Sequence, residues 1–241
     1  MNKIIIIAKR ELQSFFDSLT AYIMLVAFLG FSGFFTWLYG ADIFLRNQAD
    51  LHVFFSIAYW TLFFFIPAIT MRTIAEENKS GTIELLLTKA ITDWQVVVGK
   101  FMACLVLILI ALALTLPYYL TVWKLGPVDH GAVWTGYLGL ILMASTYISI
   151  GIYTSSITNN QIVAFLLALL IGIFFHIIFD VLASSFAGTI GGFFSYMSLS
   201  THFESISRGI IDSKDIIYFL SIIFLGLTLS EMTLAKRNLA D

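Results

Sequence analysis

Residues 52–71, HVFFSIAYWTLFFFIPAITM, run without a charge into RTIAEENKSGTIELLLTKAITDWQVVVGK at 72–100, and a second apolar run continues from Phe101. An uncharged apolar stretch of about twenty residues is the length of helix that crosses a hydrocarbon core. The polar stretch after it is too short for a domain and too rich in signals for a plain hairpin. That alternation recurs along the whole chain. Hydrophobic residues make up 59% of the 241 positions, charged residues 12%, and mean hydropathy is +0.93. A soluble core of this size needs far less apolar surface, so the chain reads as an integral membrane protein with the lipid bilayer as its solvent. The net charge of -2 gives no reason to expect a nucleic-acid partner.

Six spans are expected, at about 21–40, 52–71, 97–122, 132–154, 162–182 and 215–234. Each is read as a helix, because only helices and closed barrels satisfy the backbone in lipid. The runs are too continuously apolar to alternate as barrel strands do. Placing the N-terminus inside puts Lys3, Lys9, Arg10, Arg72, Lys79, Lys89, Lys100, Lys236 and Arg237 in the cytoplasm. Arg46, Lys124, Arg208 and Lys214 then lie outside, with Asp42, Asp50, Asp129, Asp212 and Asp215. Nine basic residues against four follows the positive-inside rule. The expected topology is therefore a multi-pass protein of a bacterial inner membrane with both termini cytoplasmic. Trp37, Tyr39, Tyr118, Tyr119, Trp123 and Trp134 fall near the outer boundaries, as an aromatic belt does.

Residues 3–19 precede the first span. Ile5, Ala8, Leu12, Phe15, Phe16 and Leu19 recur at helical spacing, with Lys9, Arg10, Gln13 and Asp17 opposite, which predicts an amphipathic helix lying in the headgroup layer. The apolar run Ile4–Ile7 is too short for the core of a cleavable signal peptide, and Lys9-Arg10-Glu11 follows at once. Cys104 is the only cysteine, which excludes an intrachain disulfide and a C-x-x-C site; it reads as a packing residue.

Within the loop 72–96, Glu76 to Gly81 look turn-like. Thr82 to Leu87 then read as a short helix, with Ser80 as its N-cap and Glu84 in its first turn. Thr92 and Gln95 form a capping box that opens the third span. So small a loop cannot cover Leu85, Leu86 and Leu87 by itself. Either they pack against the protein's own interfacial helix, or they insert into a cleft on a cytoplasmic partner. The segment 183–213, rich in Gly and Ser, is too long for a hairpin and predicts a pair of short helices, re-entrant or interfacial. Thr201 with Glu204 suggests a capping box there, and Gly209 a stop.

Ionisable groups inside a membrane are costly and mark cavities or partners. His176 and Asp180, one turn apart in the fifth span, form a possible intramembrane polar site: a proton, cation or substrate contact, or a pair bonded to each other near the outer headgroups. His52, His130, His176 and His202 share no ligand spacing that would support a metal site. Gly136, Gly139 and Gly151, with Ser145, Thr146, Ser149 and Thr154, read as close helix packing in the fourth span.

Taken in order, the interfacial helix, the six spans and the loop resemble the type 2 ABC transporter (ABC-2) permeases. That family's loop pattern, E-x-x-x-G-T-x-E-x-L-L-x-x-P-I followed by a lysine, appears here as Glu77, Gly81, Thr82, Glu84, Leu86, Leu87, Ile91 and Lys100, with Ala90 where proline is common. The resemblance implies an all-α membrane fold with a cytoplasmic coupling helix and short extracytoplasmic helices between spans five and six. It implies that Glu77, Gly81, Thr82, Glu84, Leu85, Leu86 and Leu87 dock onto an ABC ATPase, with a second contact from Ser155 to Gln161 that includes Asn159. It implies a second permease, either another copy of this chain or a longer paralogue with an extracytoplasmic domain. The short chain and the loop's wording are most similar to the permease associated with gliding motility in Bacteroidetes. A permease of the kind that matures nitrous-oxide reductase is the close alternative.

No phosphate loop is present: Gly99-Lys100 is followed by Phe101 and lacks the upstream glycine. ATP and magnesium are accordingly expected in a partner ATPase, with no cofactor and no catalysis on this chain. Glu76-Glu77 and Gly192-Phe193-Phe194-Ser195 match neither a glutamate-pair nor a serine intramembrane protease. A stand-alone secondary transporter would call for internal repeats and paired broken helices, which the sequence does not suggest. An anchor that transmits force without moving a solute stays open.

Overall fold

The computed structural model describes residues 3–39, 49–81 and 91–237, and these form helices and their connections with no strand among them. The helices are α1 (Lys3–Asp17), α2 (Thr20–Trp37), α3 (His52–Thr70), α4 (Ala75–Ser80), α5 (Asp93–Ala113), α6 (Leu116–Leu125) and α7 (His130–Ser156). They continue as α8 (Gln161–Ile173), a π-helical turn (Phe174–Ile178), α9 (Phe179–Ser185), α10 (Gly188–Met197), α11 (Leu199–Ser207) and α12 (Ser213–Arg237). Six helical stretches are long and apolar enough to cross a membrane: Thr20–Trp37, His52–Ser80, Asp93–Leu125, His130–Ser156, Gln161–Ser185 and Ser213–Lys236. The all-α, six-span expectation holds.

α7 is the axis of the bundle. It packs against α3, α5, α8, α11 and α12, and most of its residues are buried. Its small residues make this possible. A Cβ on Gly151 would stand 2.0 Å from Thr70 Oγ1, and one on Gly136 2.5 Å from Phe55 Cζ. The hydroxyls of Ser145, Thr146, Ser149 and Thr154 donate to carbonyls of their own helix, so they are satisfied locally while the backbones close up. Close packing is therefore what this stretch of the fourth span does. Cys104 is buried in the core beside Lys100 and Leu107 on α5.

The third span is interrupted where a continuous helix was expected, and the second ends at its expected boundary but is extended by a further short helix. The second stops at Thr70, turns through Met71–Ile74 and resumes as α4, so Glu76–Ser80 are helical and not turn-like. Ser80 is the last residue of α4, its hydroxyl on the Glu76 and Glu77 carbonyls, and Gly81 closes the helix in the left-handed region at φ 69°. The third span breaks at Leu114–Thr115. Thr115 Oγ1 donates to the Leu112 carbonyl and meets Tyr137 Oη at 3.0 Å, and Pro117 is accommodated in the first turn of α6. The capping box of Thr92 and Gln95 is formed as expected.

α1 lies along α5 and α2. Ile7 and Phe15 are buried on that side, whereas Ile5 and Leu19 are exposed. The helix thus spends part of its apolar side on the protein and leaves Ile5, near its start, exposed. The segment 183–213 forms the expected helix pair, α10 and α11, but Ser198 rather than Thr201 caps the second helix by accepting from the Thr201 N–H. Glu204 instead pairs with Arg208 at 2.7 Å, and Gly209 stops the helix at φ 94°.

Candidate functional site

Two polar regions lie at opposite ends of the bundle. The proximal one collects α1, the α3–α4 turn, α4 and the start of α5. Lys100 is fully buried, an expensive position for an ammonium unless all its protons are used. Here all three are placed: Nζ donates to the Thr73 carbonyl at 2.5 Å and pairs with Glu77 Oε1 at 2.9 Å and Glu11 Oε1 at 3.4 Å. Arg10 adds a longer contact to Glu77 at 3.5 Å. One lysine therefore joins the interfacial helix, the extension of the second span and the third span.

Around it, Arg72 reaches back to Thr20 Oγ1 at 2.8 Å and Ser18 Oγ at 3.4 Å, holding the corner between α1 and α2. The start of α4 is held from α7. Ser155 Oγ accepts the Ile74 and Ala75 N–H groups and donates to the Met71 carbonyl. Those two donors would otherwise be orphans at a helix start whose own N-cap, Ile74, has no side-chain acceptor. Asn78 is buried on α4 with neither amide atom partnered among the described residues.

Of the residues expected to dock, Glu77 is turned inward onto Lys100, which places it in this joint and not on an open surface. Gly81 is exposed at the end of α4, and Asn159 is exposed between α7 and α8. Ser155, expected in the second contact, is buried and ties the two loops together. Thr82, Glu84, Leu85, Leu86 and Leu87 lie outside the described residues.

At the distal end a cavity of about 630 Å³ opens between the starts of α3 and α7, the π turn with α9, and α11. His176 and Asp180 both line it, but they are not bonded to each other. His176 Nδ1 lies 2.6 Å from Tyr147 Oη, and its ring stacks on Tyr59 with centroids 4.2 Å apart. The π turn carries His176 into the bundle while Asp180 stays exposed. The partner of His176 is 29 positions away, so no local spacing could have named it.

Beside the cavity, His202 and Asp215 form a buried pair at 2.6 Å, with His202 Nε2 3.1 Å from the Tyr196 carbonyl and the ring stacked on Tyr218 at 4.0 Å. Both ring nitrogens lie within hydrogen-bond distance of an oxygen. At the entry to α12, the backbone N–H and ammonium of Lys214 hold the Asp212 carboxyl below its ordinary range. Sequence reading placed His202 and Asp215 outside the membrane without pairing them.

The profile of one protein family, described as ABC-2 family transporter protein, matches residues 5–222. That match takes in α1, the described parts of the first five spans and the beginning of α12. No curated protein matches the chain.

Proposed function

The chain belongs to the ABC-2 transporter family, and on that premise we propose that it is the permease subunit through which a separate cytoplasmic ABC ATPase does work across the inner membrane. The observation that carries this reading is the joint at Lys100. The loop from Gly81 to Thr92 is held at one end by α4 and at the other by the capping box on α5. Lys100 and Glu77 pin those two ends to each other and to α1. A push on the loop therefore reaches two spans and the interfacial helix at once, as a lever requires.

In this reading Gly81, Thr82, Glu84, Leu85, Leu86 and Leu87 dock on the ATPase, Asn159 adds the second contact, and Glu77 serves the joint behind them. ATP and magnesium belong to the ATPase. The complex holds two permease chains, this one paired with a copy of itself or with a longer paralogue bearing an extracytoplasmic domain. Both termini lie in the cytoplasm, as the distribution of basic residues favours. The process served is gliding motility on the wording of the loop, with maturation of an enzyme such as nitrous-oxide reductase as the alternative. The genes adjoining this one separate the two.

The test is co-purification. Leu86→Asp places a charge in an apolar contact that hot-spot energetics puts at about 2 kcal/mol or more, roughly a thirtyfold loss of affinity. Tagged Leu86→Asp protein is expected to reach the membrane at normal levels and lose the ATPase on affinity purification. Full retention of the ATPase by both Leu86→Asp and Glu84→Lys would refute the docking role.

A further inference from the structure

We propose that the distal cavity binds an organic cation with an aromatic or bulky apolar body. Its lining supplies the three things such a ligand needs. The first is an aromatic face: Trp60, 43% exposed, lines the cavity and stands edge-on to His176 at 4.7 Å, beside Tyr59, which is itself stacked between His176 at 4.2 Å and Phe203 at 4.6 Å. Ring faces attract cations as well as apolar groups. The second is negative charge. Asp50, Asp129, Asp180 and Glu204 line the cavity against a single cation, Arg208, which is already paired with Glu204. Three carboxylates remain, and Asp180 has no ion pair among the described residues.

The third is an unsatisfied polar wall. His176, which lines the cavity, is 2% exposed, and its Nε2 has no hydrogen-bond partner among the described residues. Tyr59 Oη, beside the Ser200 hydroxyl, also lacks a well-formed hydrogen bond. Native interiors rarely leave such atoms unpaired, which marks this wall as polar capacity not spent within the protein. An anion is disfavoured by the carboxylates, and a purely apolar guest would leave their charge uncompensated. The volume of about 630 Å³ is that of a small-molecule site and not of an ion site. The charged end could be the headgroup of an amine-bearing lipid or a free amine, since both present the same chemistry.

The experiment uses the purified full-length chain in detergent, without any ATPase, so its failure does not touch the coupling proposal. Tritiated tetraphenylphosphonium is titrated against it, with the isosteric anion tetraphenylborate as control. The expected result is saturable binding of the cation, near one per chain, that the anion neither shows nor competes. Trp60→Leu is expected to weaken the cation roughly threefold to thirtyfold, and Asp180→Asn roughly twofold to fivefold. Both positions are exposed on the cavity wall and are tolerant of replacement. Absence of saturable binding, equal binding of the anion, or unchanged affinity in both variants would overturn the proposal. Repeating the titration in phosphatidylglycerol nanodiscs with added phosphatidylethanolamine identifies the source. Displacement of the probe assigns a lipid amine, and its retention a soluble one.

Discussion

Lys100→Met is expected to destabilise the folded chain by about 3–5 kcal/mol, because it leaves two largely buried carboxylates without the charge they were folded around. Methionine fills nearly the same volume, so the loss is electrostatic and does not come from a cavity. Glu77 keeps only the 3.5 Å contact from Arg10, Glu11 loses its lysine, and the Thr73 carbonyl loses its donor. The triple variant with Glu11→Gln and Glu77→Gln should recover most of the stability, since neutral amides have no buried charge to compensate. Unfolding titrations in mixed micelles, followed by tryptophan fluorescence, measure both. A loss below about 1 kcal/mol in the single variant would mean that Lys100 behaves as a solvated surface ion pair, contrary to its complete burial.

The second large effect is expected at the other end. Asp215→Ala should also be costly, by about 1–3 kcal/mol, because it leaves a buried His202 ring nitrogen without its hydrogen-bond partner. The pair is short, and both side chains are nearly sealed from solvent at 4% and 1% exposure. His202 sits on α11 and Asp215 on α12, so the pair is also what pins the short-helix segment to the last span. Asp215→Ala should therefore raise protease sensitivity between residues 186 and 212 before the bundle as a whole unfolds. The double variant His202→Phe with Asp215→Leu keeps the ring stack on Tyr218 and removes both polar partners. It should lie closer to the parent than Asp215→Ala does. A double variant worse than the single one would show that the pair contributes net stability of its own.

What the sequence disclosed and what it withheld follow from the range of the interactions involved. The spans were legible because a membrane demands an unbroken apolar run of fixed length, a property of neighbouring residues. The capping box at Thr92 was legible for the same reason, as its two partners are three positions apart. The short helix α4 that follows the second span was not. Its cap is the Ser155 hydroxyl, eighty positions away on another helix, and locally Glu76 to Gly81 are as polar as any turn. The pairing of His176 with Tyr147, the capture of Glu77 by Lys100 and the bond between His202 and Asp215 likewise exist only once helices have packed. Lys100 and Glu77 did belong to the pattern that identified the loop, but spacing alone could not show that they meet. The apolar side of α1 was assigned to the headgroup layer, whereas Phe15 on it is buried in the protein, because a helical wheel does not distinguish a protein neighbour from lipid.

The central claim is that the loop, α4 and α1 move as one body when the ATPase acts. Spin labels at Gln13→Cys on α1 and Lys79→Cys on α4, both exposed positions, bracket the joint. A third at Lys124→Cys, exposed on α6, gives the distal reference. On a Cys104→Ala background in the assembled complex, the pairwise distances are measured by electron double resonance with and without ATP. The expected result is an unchanged distance from Gln13→Cys to Lys79→Cys and a shifted one from Lys79→Cys to Lys124→Cys. A change within the first pair as large as that in the second would contradict a rigid joint at Lys100.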